Sequence, residues 1–172
     1  RKKLVDQGAR EALSTPECAR AAEVIFAAVP DDAALREVAL GPHGVLANAG
    51  PGAIFADTST VSPQVSAEID REAAVRGVSY LRMPISGNSA SARSGDITVL
   101  VSGPEAAWHS LKPIVETFSK EQAYLGDGEQ ARYMKLVINA VVVSTAQSMA
   151  EALTLGRKAG IEWNLMLDTI AH

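Results

Sequence analysis

The sequence is short of the residues that most often announce a chemistry. Its 172 residues hold one cysteine and three histidines. A lone Cys18 excludes an internal disulfide and reads as a small apolar side chain of the interior rather than a nucleophile. His43 falls in a turn, His109 on a surface-type helix and His172 at the chain end, and no pair has metal-ligand spacing. Trp108 and Trp163 read as packing against helix neighbours, without the company of a stacking platform. A net charge of −4 gives nucleic acid no electrostatic footing. No stretch reaches the roughly 18 uninterrupted apolar residues of a membrane span. The charged opening Arg1, Lys2, Lys3 leads to the expectation of no signal peptide. The expectation is a cytoplasmic chain with neither a membrane nor a nucleic-acid partner. Neither a Gly-x-Ser-x-Gly elbow nor a Walker loop is present. An initiator Met is also missing, and "RKKLVDQGA" reads as the last turns of a helix stopped at Gly8. The sequence is expected to begin inside an element, and its end also reads as truncated.

What is present is ordinary in bulk: 47% hydrophobic and 21% charged residues, the values of a globular chain. Along residues 10 to 125, short apolar runs alternate with helical patterns. Arg10 to Leu13 reads as extended, and Ser14 or Thr15 caps a brief helix with Pro16 in its first turn. "EVIFAAVP" is a strand, and Asp31 and Asp32 start a helix through Leu40. A turn near "GPHGVLANAGPG" leads to the strand "AIFADTST". Ser62 caps the next helix, Pro63 opens it and Gly77 stops it. "VSYLRMP" and "DITVLVSG" are strands on either side of a small-residue loop, "SGNSASARSG". Pro104 starts a helix that Pro113 kinks or divides, and "QAYLG" is the last strand. The alternation predicts helices packed on a mostly parallel sheet. From about Gly128 to Lys158 the text reads as one long helix of roughly 45 Å. It carries no charge between Lys135 and Glu151, so it is expected to be buried on most sides. "KAGIEWNLMLDTIAH" reads as a stop at Gly160 and a new helix.

Three stretches can carry chemistry. In open parallel sheets, ligands bind beyond the carboxyl ends of the strands. "AAVPDD", "ADTSTVSP" and "MPISGN" each follow an expected strand and offer small residues, hydroxyls or free N–H groups there. The competing reading is simple capping and turn formation. Within the third, Ser86, Gly87 and Asn88 can present a backbone nest to an anion or form a plain surface loop. On the long helix, Lys135 and Asn139 lie at i, i+4 on one face. Either the ammonium faces a polar cavity, where it donates to a substrate oxygen, or it snorkels into water.

These stretches in this order resemble the β-hydroxyacid dehydrogenase family: 3-hydroxyisobutyrate dehydrogenase, tartronate semialdehyde reductase and relatives of 6-phosphogluconate dehydrogenase. "YLRMPISGN" resembles the family's substrate segment D-A-P-V-S-G-G, and "GDGEQARYMKLVINAVVV" its G-x-x-x-K-x-x-x-N helix. The resemblance implies an α/β, Rossmann-type doubly wound domain over residues 1–127, incomplete at its N-terminus. An interdomain helix and the start of an all-α domain follow over 128–172. It implies NAD or NADP as cofactor, a small 3-hydroxy acid or its semialdehyde as substrate, and a homodimer or homotetramer. Lys135 would transfer the proton and Asn139 orient it and the substrate. Ser86, Gly87 and Asn88 would hold the carboxylate, and Val29, Pro30 and Thr60 would line the cofactor site.

Three departures bear on this. The family's G-x-G-x-x-G loop, which would seat the pyrophosphate at a helix N-terminus, is absent and by resemblance belongs upstream of Arg1. Arg82 and Met83 stand where the family has Asp and Ala, so Arg82 is expected to bring positive charge near the substrate segment. Asn88 replaces a glycine. Two rivals stand beside the enzyme reading. One is a non-catalytic dehydrogenase-like module for dimerisation or scaffolding. The other is an imine reductase of the same architecture, in which the lysine is usually replaced.

Overall fold

The computed structural model describes residues 2 to 172, with Lys2 by its backbone alone; the Arg1 end of the first expected helix lies outside them. The elements run in the order α1 (Lys2–Val5), α2 (Thr15–Arg20), β1 (Val24–Ala27), α3 (Asp32–Leu40), α4 (Val45–Asn48) and β2 (Ile54–Asp57). They continue with α5 (Pro63–Val75), β3 (Ser79–Arg82), β4 (Ile85–Ser86), α6 (Ser89–Ser94) and β5 (Thr98–Val101). The last are α7 (Glu105–Val115), β6 (Glu121–Tyr124), α8 (Gln130–Lys158) and α9 (Trp163–Ala171). Local chemistry sets most helix starts. Ser14, Asp31, Ser62, Asn88 and Glu162 each accept a hydrogen bond from a first-turn N–H with the side chain. Pro113 sits inside α7 without ending it.

Strands β1, β2 and β3 pair in parallel in that order. β4, β5 and β6 form a second hydrogen-bonded set in which β4 runs antiparallel and β6 parallel to β5. Arg82 and Ser102 bridge the two sets, with backbone bonds of 2.9 and 3.0 Å. Side chains alternate across the pleat. Phe55 and Tyr80 face Leu35, Val65 and Ile69 of α3 and α5, while Ile54, Ala56 and Leu81 face Trp108, Leu111 and Val115 of α7. Each fully buried large apolar side chain contributes about 1.5–3 kcal/mol, so both faces are covered by helices and the sheet is doubly wound.

Several expectations need correction. Arg10 to Leu13 forms no strand; the Leu13 N–H instead donates to Glu17 Oε2 of α2 at 2.8 Å. The segment read as a turn contains α4, and the loop after β4 contains α6. Cys18 is exposed rather than interior. Trp163 is 44% exposed, unlike the buried Trp108.

The chain divides into two compact units, one ending at Lys135 and one covering Leu136–His172. Helix α8 starts in the first and continues into the second. Its first turn is interior: Ala131 and Arg132 are buried. Beyond it the expected burial fails, with Val141 and Val142 each 61% and Val143 66% exposed. By length and composition α8 is long and apolar enough to cross a bilayer. Within the second unit, Gly156 lets α8 approach Met166 of α9, a side chain only 8% exposed.

The strand-end loops are tied to each other. The Thr58 N–H and hydroxyl both donate to the Ala27 carbonyl at 2.8 Å, and the Ser62 N–H donates to Asp32 Oδ1 at 2.8 Å. Hydrogen bonds from the Ser62 hydroxyl and then its N–H hold the Asp32 carboxyl below its ordinary range. A depressed carboxyl contributes stability that is complete above the unfolded-state pKa, about 3.9, and lost as pH falls through the folded one. Asp32→Asn should therefore weaken thermal stability at pH 6 and converge on the parent as pH drops below about 4; parallel melts across that range check it. Gly103 has φ +132°, and a Cβ there would lie 2.5 Å from the Tyr80 carbonyl oxygen. Gly103→Ala should cost more than about 1 kcal/mol in chemical denaturation.

Candidate functional site

The carboxyl ends of β1, β2 and β3 lie side by side, at Ala27, Asp57 and Arg82. The loop after β1 carries Val29 and Pro30. The loop after β2 carries Thr60. The segment after β3 carries Ser86, Gly87 and Asn88. Sequence order alone therefore brings three of the expected groups to one edge.

Most hydroxyls and N–H groups of these loops are occupied. Ser59 Oγ accepts the Val29 N–H at 2.9 Å, and the Ser59 N–H donates to Asp57 Oδ1 at 3.0 Å. Asp31 Oδ1 accepts from the Ala34 N–H. The N–H of Val29 is thus already spent. Thr60 is exposed and has no hydrogen bond among the described residues, so its hydroxyl is the one the loop leaves for a ligand. Gly87 has φ +149°, and a Cβ there would meet Ile97 Cγ2 at 2.8 Å; only glycine keeps this backbone beside β5. Asn88 Oδ1 accepts from the N–H groups of Ala90 and Ser91. Its side chain serves α6 first, which leaves its N–H and side-chain amide hydrogens for a ligand.

A dinucleotide finds a partial fit here. Val29, Pro30 and Thr60 offer an uncharged edge for a ring or ribose. The start of α3 carries two carboxylates, Asp31 and Asp32, that repel a diphosphate, and Asp31 already takes the Ala34 N–H of the first turn. The diphosphate therefore has no seat among these residues.

Arg132 of α8 is 1% exposed and reaches into the strand ends. Its guanidinium donates to the Ser59 carbonyl at 2.6 Å, to Ser66 Oγ at 3.2 Å, to Tyr80 Oη at 2.9 Å and to Asp57 Oδ2. Tyr80 Oη in turn donates to Asp57 Oδ2 at 3.1 Å. Burial pushes the Tyr80 hydroxyl up to about 12, so it stays a neutral donor. Sequence reading passed over this cluster. The signal was available: an aspartate at the end of a fully apolar strand must find a buried partner. Lys135 lies one turn beyond Arg132, half-buried, and Asn139 a further turn on, exposed, in the second unit.

Arg82 corrects another expectation. It is 1% exposed and bound to Glu129 Oε1 at 2.9 Å and Asp70 Oδ1 at 3.1 Å. Burial alone would lower its pKa, but the bonds to Glu129 and Asp70 outweigh that and keep it charged. Its charge is neutralised inside the fold and is not offered to a ligand.

Residues 1–126 match the family model described as the NAD binding domain of 6-phosphogluconate dehydrogenase. The chain is 31% identical over 167 residues to 2-(hydroxymethyl)glutarate dehydrogenase of Eubacterium barkeri, covering 97% of this chain and 56% of that protein. It is 30% identical over 159 residues to 3-hydroxyisobutyrate dehydrogenase of Pseudomonas aeruginosa, covering 92% and 53%. It is also 30% identical over 167 residues to the human cytokine-like nuclear factor N-PAC, covering 97% and 30%. The chain thus spans about half the length of the two dehydrogenases. Among solved structures it overlays Psf3 in complex with NADP+ and 2-OPP at a TM-score of 0.87 and 26% identity, covering 97% of this chain and 59% of that one. A Myxococcus stipitatus imine reductase overlays at 0.90 with 18% identity, covering 99% and 58%, which shows the fold alone. Helices on both faces of parallel strands, three loops gathered at the strand ends and a family match over 126 residues lead to one conclusion: this chain belongs to the family of the NAD-binding domain of 6-phosphogluconate dehydrogenase.

Proposed function

We propose that the chain is part of an NAD(P)-dependent oxidoreductase that interconverts a small 3-hydroxy acid and its semialdehyde. The observation that carries this reading is the Arg132 bond to the Ser59 carbonyl, which anchors the first turn of α8 at the carboxyl end of β2. Residues three apart share a helix face, and in this reading the Lys135 ammonium turns to the Thr60 loop as Arg132 does.

In this reading the nicotinamide cofactor supplies the hydride chemistry, and the chain supplies position and charge. Val29, Pro30 and Thr60 line the cofactor. The Ser86 hydroxyl and the N–H groups of Gly87 and Asn88 hold the substrate carboxylate. The Lys135 ammonium gives its proton to the developing alkoxide during reduction, and the neutral amine takes the hydroxyl proton during oxidation. Asn139 orients the lysine and the substrate. The assembly is a homodimer or homotetramer. The exposed valines of α8 support this, since apolar patches of that kind mark association surfaces. A cytoplasmic place without membrane or nucleic acid belongs to the same reading, with α8 covered by protein rather than lipid.

A second reading, a non-catalytic scaffold, draws on the likeness to N-PAC, a protein named as a nuclear factor and not as an enzyme. Cofactor fluorescence separates the two: NADH or NADPH added to the complete gene product carrying this sequence should be quenched or enhanced saturably, whereas a scaffold that has lost the cofactor leaves it unchanged. An imine reductase would turn over cyclic imines and ignore hydroxy acids in the same substrate panel. Lys135→Ala should leave thermal melting nearly unchanged, because the side chain is only half-buried, yet lower turnover by about 10²–10⁴-fold. Turnover of a 3-hydroxy acid panel, followed by NAD(P)H absorbance, checks this; unchanged turnover removes the lysine from the mechanism.

A further inference from the structure

The buried guanidinium of Arg132 has partners on one loop, one helix and two strands. Ser59 belongs to the loop after β2, Ser66 to α5, and Asp57 and Tyr80 to β2 and β3. The Ser59 hydroxyl passes the constraint on to the Val29 N–H in the loop after β1. One side chain therefore fixes both loops that face the cofactor in the reading above. The same residue sits in the first turn of α8, three positions before Lys135.

We propose that Arg132 is a positioning residue for proton transfer: its guanidinium sets the rotation and height of the turn that presents Lys135 against the Thr58–Ser62 loop. The proposal rests on the assignment of Lys135 given under Proposed function. Geometry requires arginine here. A planar fork donates in several fixed directions at once, whereas a lysine ammonium is a single point charge that can satisfy some of these acceptors but not all. Every bond of the fork restrains the helix. Sliding α8 along its axis, or turning it about that axis, breaks the Ser59 and Ser66 contacts together. A misplacement of about 1 Å at a reacting group costs on the order of 10²-fold in rate. A fork that removes such freedom is worth a comparable factor without touching the substrate.

Two variants of the complete gene product test this. Arg132→Lys keeps the charge and loses the fork. Ser66→Ala keeps the fork but leaves its Nε without the 3.2 Å partner. With Arg132→Lys, kcat should fall about 10–100-fold while KM for the hydroxy acid changes less than about threefold. Amide hydrogen exchange of residues 28–31, 57–62 and 130–136 should rise together, with the rest of the first unit protected as before. With Ser66→Ala the same three segments should loosen in smaller measure, and kcat should fall a few-fold. A merely structural arginine would lower the melting temperature and leave kcat of the folded fraction unchanged, and that result overturns the proposal. So does exchange that rises in one segment without the other two. Where Arg132→Lys does not fold, Ser66→Ala alone decides: unchanged kcat and unchanged exchange overturn it. If the parent protein shows no hydride transfer with either cofactor, the enzyme reading has failed. The exchange experiment then still judges whether one guanidinium couples the three segments.

Discussion

The first unit depends on one buried ion pair. Arg132 and Asp57 are 1% and 0% exposed at their side chains. Taking two such charges out of water costs several kcal/mol per ion, and attraction alone does not reliably recover it. The cost is offset here because the guanidinium has four acceptors and Asp57 has three donors: Arg132, Tyr80 and the Ser59 N–H. Burial pushes the Tyr80 hydroxyl up to about 12, so it stays a neutral donor in the network at ordinary pH. A hydrophobic pair in the same place would pack as well. It would not tie a helix, a loop and two strands to a common point.

From that anchor the strand-end loops acquire their chemistry by elimination. The hydroxyls of Thr58 and Ser59 and the N–H groups of Val29 and Ser62 are spent on bonds that tie the strand-end loops to each other. What remains available is small: Thr60, the half-buried Ser86, the Gly87 backbone and the N–H and amide hydrogens of Asn88. A rigid rim with few free polar groups suits a ligand that brings its own reactive centre and needs orientation. The carboxylates at α3 reinforce this, because they make one end of the rim unfit for a diphosphate while leaving the neutral edge open.

Two buried arginines divide the labour. Arg82 stacks on the Tyr80 ring at 4.9 Å and is neutralised by Asp70 and Glu129, so it joins α5 to the segment just before α8. Arg132 joins the start of α8 to the strand ends. Both secure that helix where it leaves the sheet. Beyond Lys135 its apolar side chains stand in the open, and burial that composition seemed to promise does not occur within either unit.

Much of the architecture was legible in the chain. Apolar runs of strand length, Ser62-Pro63 and Asp31-Asp32 at helix starts, and Gly77 and Gly160 at helix ends are local signals; each acts through backbone geometry within a few residues. The α/β alternation and the family resemblance follow from them. Short elements escaped, α4 and α6 among them, because four to six residues carry too little periodicity to outweigh their glycines and serines. The candidate site was legible only as a set of loops. Whether a particular hydroxyl is free or spent depends on a partner some 30 residues away, as with Val29 and Ser59. Nothing local separates Arg82, at the end of an apolar strand, from Arg132, at the start of a helix, as buried charges. Their tasks were decided by carboxylates 12 to 75 positions distant, because a buried charge takes its meaning from the group that compensates it.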